Sequence, residues 1–315
     1  MPSYIAHRFF GERVAKELRD FPGTNNINQH RTAFLWGVQG PDLLFYLPNN
    51  QDPFFNSIGG VMHRCRTDRL LNAISKLLIE HKHSPCYSAL ASYTYGFLCH
   101  YCLDKNVHEY VYCRCEQIKD NYKTTSPFGV HIKLETDMDT VFYREFTGGN
   151  VRCFKLENEL LNKKDSIDAI ALFHTRIIEE VYEYSISPEI IKSCIPRFFA
   201  REKGSFDPTG IVSWIRLRLK EIRAREYHTF TANWRTAHVR GDVLNKEHTP
   251  WHNLWYPEKT FTDSVLDIFE RSVKEAAEII QVMEEHADSG VPFEKRHMVS
   301  FDNGNPKYYP DYEND

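Results

Sequence analysis

Apolar positions recur along this chain at helical rather than strand spacing. Ile5, Phe9, Val14 and Leu18 mark one side of a segment that Ser3 is placed to cap and Pro22-Gly23 to end. A short helical piece, TAFLWG, follows His30. Next comes the turn Gly40-Pro41-Asp42, which projects a carboxylate, and then the aromatic run LLFYLP. Asn49 to Asn56 reads as a surface loop. Helical periods then predict elements from Val61 to about Lys82, from Cys86 to Lys119 and from Phe128 to Phe146, each bounded by Pro or Gly. The second half predicts helices near 154–163, 165–185, 188–201, 208–226 and 260–287. Segment 227–258 is rich in His and aromatic residues and has no period; long connections of that kind are often functional. Alternation of period two is almost absent, so the expected fold is all-α.

Composition changes this picture little. The chain has 315 residues, 42% hydrophobic, with a formal net charge of -4, which is ordinary globular composition without a basic nucleic-acid surface. The start, MPSYIAHRFF, does not resemble a secretory leader, and the apolar runs are too short to span a bilayer. The expected location is the cytoplasm. The eight cysteines then read as reduced thiols. Cys99-x-x-Cys102 with Cys113-x-Cys115 falls inside a helix rather than at the tight turn a zinc knuckle needs, so buried thiols are the better reading.

The chemistry lies in GFLCHYCLDKNVHEY. It carries His100, Asp104 and His108 at i, i+4 and i+8, one stripe down one helical face. Two imidazoles and a carboxylate make an N/O set suited to zinc. The next helix repeats the pattern with His131, Glu135 and Asp139. His7, Asp42 and His63 lie on three earlier segments. Taken singly, each has a bland reading as a surface or turn residue. Together they offer five histidines and three carboxylates.

The run WGVQGPDLLFY, the lone His63, then GFLCHYCLDKNVHEY and HIKLE resembles the bacterial zinc-dependent phospholipase C family, which is related to the fungal zinc-dependent single-strand nucleases. The resemblance covers roughly residues 1–140. It implies a multi-helix bundle of that type with additional C-terminal helices, and a site of two or three zinc ions. Carried over, Asp42, His63, His100 and Asp104 hold one ion. His108, His131 and Glu135 hold a second. His7 and Asp104 hold a third, with Asp104 bridging. The family's third ion also takes an N-terminal tryptophan; this chain begins Met-Pro-Ser, and on removal of Met1 the Pro2 amine is the expected substitute.

Such a site suits hydrolysis of a phosphodiester by metal-activated water, with Asp42 the candidate catalytic residue that orients or deprotonates it. Tyr101 and Asp139 are candidates to support the ligands. The expected substrate is a phosphodiester, phospholipid among them, with peripheral membrane contact and no transmembrane segment; nucleic acid is the less favoured partner. The alternatives are a single-strand nuclease type of phosphodiesterase and a non-catalytic metal-binding helical protein. One helical domain is expected over 1–290, its metal-binding half at about 1–150 and supporting helices at about 151–290. A loose polar tail is expected over 291–315. The basic run RLRLKEIRAR (216–225) reads as an exposed helix, with phosphate or lipid contact the minor reading.

Overall fold

The computed structural model describes residues 4–48, 58–122, 127–203, 209, 211–224, 235 and 238–302. The architecture is all-α. Helix α6 (Tyr87–Tyr122) is the axis. Around it pack α1 (Tyr4–Glu17), α2 (Thr24–Gln29), α3 (Arg31–Gly37), α7 (Pro127–Thr147), α9 (Lys164–Tyr182) and α12 (Val265–Ser289). A 3-10 helix spans Gly40–Tyr46, and α4 (Ile58–Arg64) and α5 (Thr67–His81) follow it. Helix α8 (Leu156–Glu159) is a single turn, α10 (Pro188–Lys203) packs on α9, and α11 is Ile211–Ala224. The strands are a two-residue pair, β1 (Trp251–His252) with β2 (Thr260–Phe261).

One buried core runs through the bundle. Phe10, Phe34, Trp36, Phe97, Tyr101, Phe142 and Phe173 are all essentially inaccessible. Helices α3 and α6 meet backbone to backbone. A Cβ on Gly37 would overlap the carbonyl oxygen of Tyr93, and one on Gly96 would overlap that of Phe34. This contact brings the end of α3, and the turn after it, down onto the His100 turn of α6.

Several elements differ from the pattern reading; the helix expected near 154–163 is the single turn α8, and the stretch from Gly40 to Tyr46 is a 3-10 helix. The single helix expected over Val61 to Lys82 is two helices, divided at Arg66, whose φ of 61° is left-handed. The break separates the helix bearing His63 from the one that packs on α9 and α12. The polar tail is not loose where it is described. The N–H of Phe293 donates to Ser75 Oγ at 2.9 Å. Those of His297 and Met298 donate to the two oxygens of Asp68 at 2.8 and 2.7 Å. Phe301 is fully buried. Polar composition predicts a solvated tail, but the carboxylate of Asp68 in the first turn of α5 takes up the tail's free N–H groups.

Candidate metal centre

Each predicted ligand is carried by a different local device. His7 lies in the second turn of α1, where the preceding N–H, that of Ala6, donates to Asp139 Oδ1 at 2.8 Å. Asp42 sits in the 3-10 helix, reached through Gly40 at φ 52°. A Cβ at Gly40 would lie 2.5 Å from the His100 ring, so only glycine lets this turn approach so closely. His63 is in the last turn of α4. His100, Asp104 and His108 share one stripe of α6, and His131 and Glu135 one face of α7.

The side chains converge. His7 Nε2 lies 3.0 Å from Asp104 Oδ1, and His100 Nε2 3.1 Å from Asp104 Oδ2. His63 Nε2 is 3.3 Å from Asp42 Oδ1 and 3.5 Å from Asp104 Oδ2. Glu135 Oε1 is 3.0 Å from His131 Nε2 and 3.4 Å from His108 Nε2. The rings of His7 and His100 stack at 4.2 Å. Three sets result, each with ligand atoms mutually within 4.8 Å: His7, His100 and Asp104; Asp42, His63 and His100; His108, His131 and Glu135. None of these sets contains a cysteine, and Cys99, Cys102, Cys113 and Cys115 are buried free thiols. Burial pushes the Cys99 and Cys102 thiols well up, against thiolate formation.

The donor set fits a cation. Nδ1 of His63 donates to the carbonyl of Gly59 at 2.7 Å, and Nδ1 of His100 to that of Val38 at 3.1 Å. Carbonyls only accept, so in the neutral rings both Nε2 atoms present lone pairs, and these face each other at 3.4 Å. Both oxygens of Asp42 and Oδ2 of Asp104 are buried without a hydrogen bond. Lone pairs facing lone pairs in a dry site are costly unless a positive charge lies between them. Tetrahedral zinc with bonds of about 2.0–2.2 Å separates its ligand atoms by about 3.3–3.6 Å, close to the spacings found here. The same demand for positive charge appears in the titration. A cation on neutral rings would meet that demand, and protons on the rings meet it otherwise: burial opposes ionisation of Asp104, yet protonated His100, His108 and His7 outweigh it and hold that carboxyl well below its usual range. Burial likewise opposes the Glu135 carboxylate, and His131 and His108 keep it ionised.

Other residues support these ligands. Tyr101, expected near the site, donates to the carbonyl of Val299 at 2.8 Å and so holds the tail in place. Asp139 is fully buried; besides the Ala6 N–H it accepts from Arg235 Nε at 2.8 Å. Arg235 also donates to Glu202, which accepts from Tyr46. The start of α1 is thus tied through charge-assisted bonds to α7 and α10. Pattern reading found neither Arg235 nor Glu202, because both lie outside the helical His/Asp register. It also missed Phe301, which packs on His63, His100 and Tyr101 and whose carbonyl accepts from His108 Nδ1 at 2.8 Å. The sole hint was an aromatic in a polar run.

Aromatic side chains from the run after Asp42 and from segment 227–258 border the site. Phe45 stacks on His63 at 5.8 Å. Trp251 stacks on Phe261, and Trp255 packs edge-on to Tyr112, which contacts the rings of His108 and His131. His248 and His252 are exposed and join no ligand set. Phe54, Phe55, His228, Trp234 and the Pro2 amine lie outside the described residues.

An all-helical bundle that gathers five imidazoles and three carboxylates into adjoining groups able to hold metal fits a class, the metal-dependent hydrolases. The chain belongs to the zinc-dependent phospholipase C family, whose model matches residues 6–202. That span contains all eight predicted ligands and extends beyond the roughly 140 residues that carry the sequence resemblance. Comparison with curated proteins and with solved structures gives no significant match. No described helix is long and apolar enough to cross a membrane.

Proposed function

We propose that this protein is a zinc-dependent phosphodiesterase that hydrolyses the headgroup bond of phospholipids at a trinuclear site. One ion is assigned to Asp42, His63, His100 and Asp104, a second to His108, His131 and Glu135, and a third to His7 and Asp104, with Asp104 bridging. The observation that carries this reading is the convergence of the three ligand sets on α6, two of them sharing His100. When bound, zinc supplies Lewis acidity toward a phosphoryl oxygen and acidity toward the attacking water.

The chain's own groups do the rest. Asp42, Asp104 and Glu135 return three negative charges to six positive ones, which leaves an excess that attracts an anionic diester. Asp42, with two oxygens that accept no hydrogen bond, takes the proton of the attacking water. The carbonyls behind His63, His100 and His108 fix ring orientation, so that Nε2 faces inward. A cavity of about 30 Å³ between His7, Asp104, His108 and Glu135 has room for water among these groups.

The test is metal analysis of untagged protein followed by turnover of bis(p-nitrophenyl) phosphate, phosphatidylcholine and single-stranded DNA. Two to three zinc ions per chain are expected, with phosphatidylcholine cleaved and DNA left intact. The Asp42→Asn variant should lower kcat by about 100- to 10,000-fold. Preferential cleavage of DNA would replace this reading with the nuclease type. Zinc without turnover of any diester would leave a metal-binding protein that is not an enzyme.

A further inference from the structure

Helix α11 (Ile211–Ala224) carries five large apolar side chains at the surface. Ile211 is 59% exposed, Val212 44%, Trp214 59%, Ile215 46% and Leu219 50%. Ile211, Ile215 and Leu219 follow one another at i, i+4 and i+8, with Trp214 on one side of that stripe and Val212 on the other. Five large apolar groups on one helical face form a patch, not a scatter of single residues. The other large exposed apolar side chains among the described residues, such as Phe146, Leu161 and Val291, lie on other segments of the chain.

The charge of the helix is equally distinctive. It contains Arg216, Arg218, Lys220 and Arg223 against the single acid Glu221, in a chain whose formal net charge is -4. The rest of the chain is therefore more acidic than the whole, and α11 is a basic island. An outward apolar stripe that includes Trp, on a cationic helix, matches a surface-lying amphipathic helix at an anionic bilayer: the apolar groups enter the headgroup and acyl boundary, and the cations meet lipid phosphates.

We infer that α11 is a membrane-docking element that seats this protein on anionic phospholipid bilayers through Trp214, Ile215 and Leu219. Docking of this kind would bring the protein to a lipid surface. It complements the proposed activity without depending on it, because binding and turnover are read separately.

The experiment is co-sedimentation of the full chain with vesicles of phosphatidylcholine alone or of phosphatidylcholine mixed with phosphatidylglycerol. Turnover of soluble bis(p-nitrophenyl) phosphate and far-ultraviolet circular dichroism are measured in parallel. The wild type should partition onto the mixed vesicles at least about tenfold more strongly than onto phosphatidylcholine, and 0.5 M salt (about a fourfold shorter screening length than 0.03 M) should reduce the difference. The triple variant Trp214→Ala/Ile215→Ala/Leu219→Ala should lose at least about tenfold in partition, with its helical signal unchanged. Failure of the wild type to bind the mixed vesicles overturns the inference. Equal binding by the variant also overturns it. A dimer that dissociates in the variant, without vesicle binding by the wild type, would assign the face to self-association instead. Vesicle binding with no diester turnover would sink the proposed activity and leave the docking intact.

Discussion

The Nδ1–H of His108 donates to the carbonyl oxygen of Phe301 at 2.8 Å, joining residues 193 positions apart. The second partner lies outside residues 6–202, the span that matches the family, and its carbonyl orients a predicted ligand. The tail is held for that task by Asp68, Tyr101 and the buried Phe301 ring.

Truncation after Arg296 removes that carbonyl along with the ring that packs on His63. Zinc affinity of the His108, His131 and Glu135 group should fall by about 10- to 100-fold. Titration against a competing chelator measures it, with helical content as the check on folding. Unchanged affinity would show that the tail only packs.

Asp104 lies within 3.5 Å of the Nε2 atoms of His7, His63 and His100, whereas Glu135 Oε1 lies 3.4 and 3.0 Å from those of His108 and His131. Asp104→Asn should therefore release more than one equivalent of zinc, and Glu135→Gln no more than one. Elemental analysis of the purified variants separates these outcomes. Equal losses would argue against a bridging carboxylate.

Gly40→Ala places a methyl group 2.5 Å from the His100 ring at a backbone φ of 52°. The expected cost is about 1–3 kcal/mol in urea unfolding, with weakened zinc at the Asp42 group. Stability and metal content equal to wild type would show that the turn gives way freely.

His174 is fully buried away from the metal groups, with Tyr93 2.7 Å from its Nε2. Burial lowers its pKa from 6.5 to about 3. Unfolded chains bind the extra proton between those values, so its contribution is complete above pH 6.5 and fades as pH falls toward 3. Between pH 6 and 5 the wild type should lose about 1.4 kcal/mol more per pH unit than His174→Gln, which keeps an acceptor for Tyr93. Parallel curves from denaturant unfolding would refute this.

The candidate ligands were legible in the sequence because metal binding would demand fixed residue types at fixed helical offsets: the pattern alone puts His100, Asp104 and His108 on one stripe. The expected boundaries of the long central helix lie within a few residues of those observed. What period and composition could not encode was support through backbone atoms. The carbonyls of Gly59, Val38 and Phe301 leave no trace in residue identity, and the break at Arg66 is a left-handed residue without a glycine to announce it. Arg235 was hidden for a different reason: it is one arginine in an aperiodic segment, and its role arises from burial against Asp139 and Glu202.

The paired glycines at 37 and 96 leave the two polypeptide axes nowhere closer to go. Geometry at the cluster is therefore set by a hard mechanical stop rather than by a compressible layer of side chains. Redesign of ligand spacing in this scaffold has to proceed from the turn at residues 40–42 or from the closing tail, since the crossing itself has no slack to give.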